Sequence, residues 1–168
     1  MTRSSSASAK LSAGILLWRR NAGDLEVFLV HPGGPFYRMK HAGVWSLPKG
    51  EVDGGHPPYD VACREFEEET GRPLAQCAHS GDAVELGSVR LKSGKTVIAW
   101  AHEGTWPDGL AVSSNTFPLE WPPRSGRIRQ FPEVDDGAFF PLVEARTRIN
   151  PAMEAFLDRL IAHLDGEA

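Results

Sequence analysis

A chain of 168 residues, 41% hydrophobic and 24% charged, can bury one core without disulfides or a structural zinc. Its formal charge of −4 gives no support to bulk electrostatic binding of nucleic acid or acidic lipid. The two cysteines, Cys63 and Cys77, form no CxxC pair and no zinc spacing with the six histidines, so a reduced, cytoplasmic compartment is expected.

Residues 1–9 are rich in Ser and Ala and read as a disordered tail ahead of a single domain over 10–168. Leu11–Arg19 reads as a buried strand with Gly14 inside it, and no apolar run approaches the ~18 residues of a membrane span. The turn signal Asn21-Ala-Gly-Asp24 then leads to a second strand, Glu26–His31, which makes a hairpin. After the break His31-Pro-Gly-Gly-Pro35, Val44–Leu47 reads as a short strand ended by Pro48. Pro57-Pro58 opens a helix that runs to Thr70, with Gly71 as its stop. Helical spacing puts Tyr59, Ala62, Cys63, Phe66 and Thr70 on one face and Glu65, Glu68 and Glu69 on another. Glu85–Leu91 and Thr96–His102 form a second hairpin around Lys92-Ser-Gly-Lys95, and Gly104–Pro132 reads as a long irregular segment. Ala138–Phe140 is a last short strand, and Asn150-Pro151 starts a C-terminal helix to about residue 165. Hairpins mixed with helices, without regular βαβ alternation, indicate an α+β fold with a mixed sheet.

The charge is unevenly placed. Residues 51–69 hold seven acids against one base, Arg64, a local −6 that leaves the remainder of the chain at +2. Such a cluster is either a solvated helix face or a cation site. Glu65 stands i, i+3 to Glu68 and i, i+4 to Glu69, so the three carboxylates are expected to converge and to repel unless a cation lies between them. Hard oxygen ligands select Mg²⁺ or Mn²⁺. Gly50 permits close backbone approach, Arg64 can orient Glu65, and Lys49 can neutralise a phosphate oxygen or be a plain surface lysine.

Gly50, Arg64-Glu65-Phe66, Glu68-Glu69 and Gly71 resemble the Nudix box, and seven of its nine specified positions match. His56 stands where the family has its first Glu, and Arg72 where it has an apolar residue. Trp45-Ser-Leu-Pro-Lys-Gly50 is similar to the family's lead into the box. The resemblance covers about residues 10–145 and implies a Nudix-like α/β/α sandwich with a mixed sheet. It implies metal ligation by Gly50, Glu65, Glu68 and Glu69, with Glu69 as general base, Glu65 next in line, and Arg64 in support. In the family the first Glu supports that arginine, so His56 puts full activity in question.

Phe131-Pro-Glu-Val-Asp-Asp-Gly-Ala-Phe139 looks like a segment of diadenosine polyphosphate hydrolases and bacterial RNA pyrophosphohydrolases. It makes Glu133, ahead of Glu103, the expected extra metal ligand. The implied reaction is hydrolysis of a nucleoside diphosphate linked to a further group. Arg124, Arg127 and Arg129 are candidates for gripping a polyphosphate, and Tyr37, Trp106 or Trp121 for stacking on a base. These point to a dinucleoside polyphosphate. An ADP-sugar, an NTP, a 5′-phosphorylated RNA end or a non-hydrolysing nucleotide-binding module remain alternatives.

Overall fold

Strand β1, Leu11–Asn21, buries Ala13, Ile15 and Leu17 on one face and Leu16 on the other, the alternation of a strand covered on both sides. The computed structural model describes residues 10–166 except residue 80, so the reading of residues 1–9 as a tail lies outside the described residues. A tight turn with Ala22 and Gly23 at positive φ joins β1 to β2, Asp24–Pro32, in the expected antiparallel hairpin.

Next come β3, Lys49–Glu51, the long helix α1, Pro58–Thr70, and a one-turn helix α2, Leu74–Cys77. The second hairpin is β4, Val84–Arg90, with β5, Thr96–Glu103. A third hairpin, β6, Thr116–Glu120, and β7, Ile128–Pro132, forms a separate two-stranded sheet. The chain closes with β8, Val134–Pro141, then α3, Leu142–Arg148, a 3-10 turn Pro151–Met153 and α4, Glu154–Gly166.

The main sheet runs β4-β5-β1-β2-β8, with β3 also paired to β1. It is mixed: β1 runs parallel to β5 and antiparallel to β2 and β3. One face packs Phe28, Val30, Ile15 and Leu17 under Val61, Ala62 and Phe66 of α1. The other packs Leu16, Val27, Leu29 and Phe140 under Phe156, Leu157 and Leu160 of α4. Each such side chain contributes roughly 1.5–3 kcal/mol when fully buried. This is the expected α/β/α sandwich. No helix among the described residues is long and apolar enough to cross a membrane.

Three expectations need correction. Val44–Leu47 is not a strand: Trp45 and Ser46 make isolated bridges to Ile149 and Val30, and the ladder falls on Lys49–Glu51. Gly104–Pro132 is not wholly irregular, since it holds the β6–β7 hairpin. The last strand begins at Val134, well before Ala138.

Candidate active site

Gly14 in β1 lets the chain before α1 cross the sheet. A Cβ there would overlap Leu47, the Pro48 carbonyl and Lys49. With the way clear, β3 pairs with β1 at Ala13–Gly50, and Gly50 comes to rest against α1. A Cβ on Gly50 would run into the Glu65 carboxylate, so the close approach expected of this glycine is present.

The helix is positioned by its ends. Pro58 stands in its first turn, and Gly71, at φ 85°, donates its N–H to the Glu67 carbonyl at 2.8 Å. Val61, Ala62, Phe66 and Thr70 are buried, while Tyr59 and Cys63 are only partly covered. Glu65 and Glu69 then lie beside β3. Glu69 Oε2 accepts the Lys49 backbone N–H at 3.2 Å. Burial pushes the Glu69 carboxyl up to about 8, against the pull of the Lys49 charge and its N–H, and the charges of Glu65 and Glu133 add to the rise. Burial likewise lowers Lys49, with Glu69 opposing. Glu65 is raised by burial and then by Glu68.

Among the described residues no three acid, histidine or cysteine side chains already surround one point. The three helix carboxylates are therefore less convergent than their spacing suggests. Like charges repel, and each has turned to its nearest cationic or N–H partner: Glu69 to Lys49, Glu65 and Glu68 to Arg64. The donor set still fits a hard divalent cation, because the Glu133 charge raises the proton affinity of both Glu65 and Glu69, and the Glu65 charge that of Glu69, in a partly buried place. A divalent ion would relieve that repulsion.

Arg64 lies within 3.7 Å of Asp53, 3.6 Å of Glu65 and 3.8 Å of Glu68, contacts of ion-pair length rather than hydrogen bonds. His56 Nδ1 is 2.7 Å from Asp53 Oδ1. The carboxylate missing at position 56 is thus supplied three residues earlier, with His56 bonded to it.

Glu133 sits on the bend between β7 and β8. Its carbonyl accepts from Gly33 N–H at 2.9 Å and its N–H donates to the Asn115 carbonyl at 2.8 Å. It lines a cleft of about 440 Å³ together with Tyr37, Lys49, Glu69 and Asn150. Glu103 is exposed and borders a different hollow, beside Trp18 and His163. Arg124, Arg127 and Arg129 lie on the exposed β6–β7 hairpin and do not line the cleft, although Trp121 at its tip packs edge-on against Phe36 of the cleft loop at 5.5 Å. Trp106 is buried, packs on Phe28 at 5.0 Å and donates to the Leu110 carbonyl at 2.8 Å, so it pins its own loop. In the sequence Asp53 is one acid of the cluster and Asn150 a helix start, Asn115 carries no signal, and all three come to the site only through the fold.

The family pattern described as a NUDIX domain matches residues 9–160. The asymmetrical bis(5′-nucleosyl)-tetraphosphatase of Caenorhabditis elegans is 28% identical over 111 residues, 66% of this chain and 76% of that protein. The Rattus norvegicus protein of the same name is 43% identical over 60 residues, 35% of this chain and 41% of its own length. Among solved structures, a C. elegans Ap4A hydrolase binary complex superposes with a TM-score of 0.63 at 24% identity, covering 92% of this chain and 98% of that one. The NUDIX domain of Shewanella oneidensis NrtR, solved with ADP ribose, gives 0.60 at 15% identity over 94% and 89%.

Proposed function

We propose, from the premise that the chain belongs to the NUDIX family, that it hydrolyses a pyrophosphate bond of a dinucleoside polyphosphate with the aid of Mg²⁺ or Mn²⁺. The observation that carries the reading is Glu69: a carboxylate at the cleft wall, raised to about 8, beside Lys49 and within the field of Glu65 and Glu133. A general base serves best when its proton affinity lies near the working pH. Glu69 takes the proton of the attacking water, with Glu65 next in line.

Gly50, through its carbonyl, and Glu65, Glu68, Glu69 and Glu133 would hold the cation. Bound there, a divalent ion would supply charge to neutralise phosphate oxygens and to acidify the attacking water. Arg64 restrains Glu65 and Glu68 from the outer side of α1. Lys49 faces the cleft, where its ammonium meets a phosphate oxygen. Tyr37 stacks on a base at the cleft wall. Arg124, Arg127 and Arg129 reach, from the hairpin, the far end of a polyphosphate longer than the cleft itself. Two observations support a long substrate: curated relatives are named bis(5′-nucleosyl)-tetraphosphatases, and the basic hairpin joins the cleft loop through Phe36 and Trp121.

The test is a product-release assay over dinucleoside polyphosphates, ADP-sugars, nucleoside triphosphates and a 5′-triphosphorylated RNA, each with Mg²⁺ and Mn²⁺. A dinucleoside tetraphosphate is expected to give the highest kcat/KM, and Glu69→Gln to lower kcat at least a hundredfold. A variant with near wild-type turnover would remove Glu69 as the base. Tight nucleotide binding without turnover would make the protein a binding module.

A further inference from the structure

We propose that His31 is a positioning residue that ties the two walls of the cleft together. It stands near the end of β2, where the pairing with β8 slips between His31 and Pro32. The ring is 2% exposed. Its Nδ1 lies 2.6 Å from Asp135 Oδ1, and its Nε2 lies 2.7 Å from the Lys40 carbonyl oxygen. The Lys40 carbonyl can only accept, so Nε2–H donates to it, and Nδ1 is left to pair with the Asp135 carboxyl group. The rings of His41 and Trp45, each at 5.1 Å, flank it. Two short bonds to partners on separate segments fix its orientation.

The partners belong to different walls. Asp135 stands two residues after Glu133, on the strand whose backbone is already fixed by Gly33 and Asn115. Lys40 closes the turn that carries Tyr37, donating its own N–H to the Tyr37 carbonyl at 2.9 Å. From Phe36 to His41 this loop is exposed, so it has little buried surface of its own to hold it. Beside the ring contacts of Phe36 and His41, the bond from His31 ties its backbone to the core next to Glu133. Cutting either tie leaves a buried ring nitrogen without its partner, which costs more than the bond itself contributes. The ring therefore sets the distance between Tyr37 and Glu133. Its consequence for substrate rests on the function proposed above, but the tie itself does not.

The loop carries two trypsin sites, Arg38 and Lys40, so its release can be read without any substrate. His31→Gln keeps a donor but cannot span both partners. Asp135→Ala cuts one tie from the partly exposed side and spares the core. Asp136→Ala, whose carboxylate caps its own neighbour Gly137, is the control. Below the melting transition, both tie variants are expected to be cleaved after Arg38 and Lys40 about tenfold faster than wild type and the control, following the population of the open loop. Their KM for a dinucleoside tetraphosphate is expected to rise fivefold or more, with kcat less affected. Unchanged cleavage in both variants would overturn the tie. Faster cleavage with unchanged KM would overturn the positioning role. If the wild type turns over no nucleotide, the functional reading falls, while the trypsin comparison still decides the tie.

Discussion

An alanine at Gly50 would place its methyl group in the Glu65 carboxylate, so this glycine is required by contact rather than by an unusual φ. Gly50→Ala must push Glu65 or β3 aside, an overpacking that costs about 1–3 kcal/mol. It is expected to weaken Mn²⁺ binding in calorimetry and to lower kcat more than tenfold. The sequence alone puts His56 in question, because an imidazole cannot replace a carboxylate opposite Arg64. The fold answers that with Asp53, held by His56 and facing the guanidinium. All three side chains are well exposed, so their pairing adds little to stability. Asp53→Asn is expected to leave the thermal midpoint unchanged. It should weaken Mn²⁺ binding severalfold, because Arg64 then rests on Glu65 and Glu68 alone and competes with the ion. Unaltered Mn²⁺ affinity would show that Asp53 is an ornament of the surface.

Among the elements, α1 was legible because three independent signals agree: proline at its start, glycine at its stop, and apolar spacing that matches its buried side. β3 was hidden because Lys-Gly-Glu has no strand pattern, whereas the apolar Val44–Leu47 beside it has one but goes into the core through isolated bridges. The β6–β7 hairpin was hidden by its prolines, although Phe117 and Leu119 are half-covered between exposed neighbours, a period of two. A two-stranded hairpin is marginal by itself. This one leans on Phe117 packed with Phe131 at 6.2 Å and on Trp121 against Phe36. Its arginines are free to serve a ligand, since Arg124 and Arg127 make no ion pair among the described residues. Replacing Arg124, Arg127 and Arg129 together by alanine is expected to raise KM about tenfold for a dinucleoside tetraphosphate. The same change should leave a nucleoside triphosphate, too short to reach the hairpin, within twofold. Equal effects on both substrates would place the arginines elsewhere in the reaction.

For the molecule as a whole, the local −6 of residues 51–69 becomes a matter of stability as well as of binding. Glu69 has a folded value of about 8, above its ordinary carboxylate value of 4.5. Between those two values the folded chain holds more protons than the unfolded one, so the stability this group supplies is full below pH 4.5 and is lost as pH rises through 8. His102 works in the opposite sense. Burial lowers it below 6.5, and its Nε2 lies 2.7 Å from the Tyr59 hydroxyl oxygen. Its contribution is present above 6.5 and is lost as pH falls through its lower folded value. The two groups oppose each other in chelator-treated protein, so the wild-type curve alone cannot separate them, whereas the difference between wild type and Glu69→Gln can. At pH 5 the two proteins should melt within a degree or two of each other. By pH 8.5 the variant should be the more stable, by about 1–3 kcal/mol for a shift of this size shared with Lys49. Excess Mg²⁺ or Mn²⁺ binds the carboxylate form and should raise the wild type at pH 8.5 well above its pH 5 gain, with a smaller response in Glu69→Gln. A difference between the two proteins that does not change with pH would mean that Glu69 ionises as an ordinary surface carboxylate, and its place as the base would go with it.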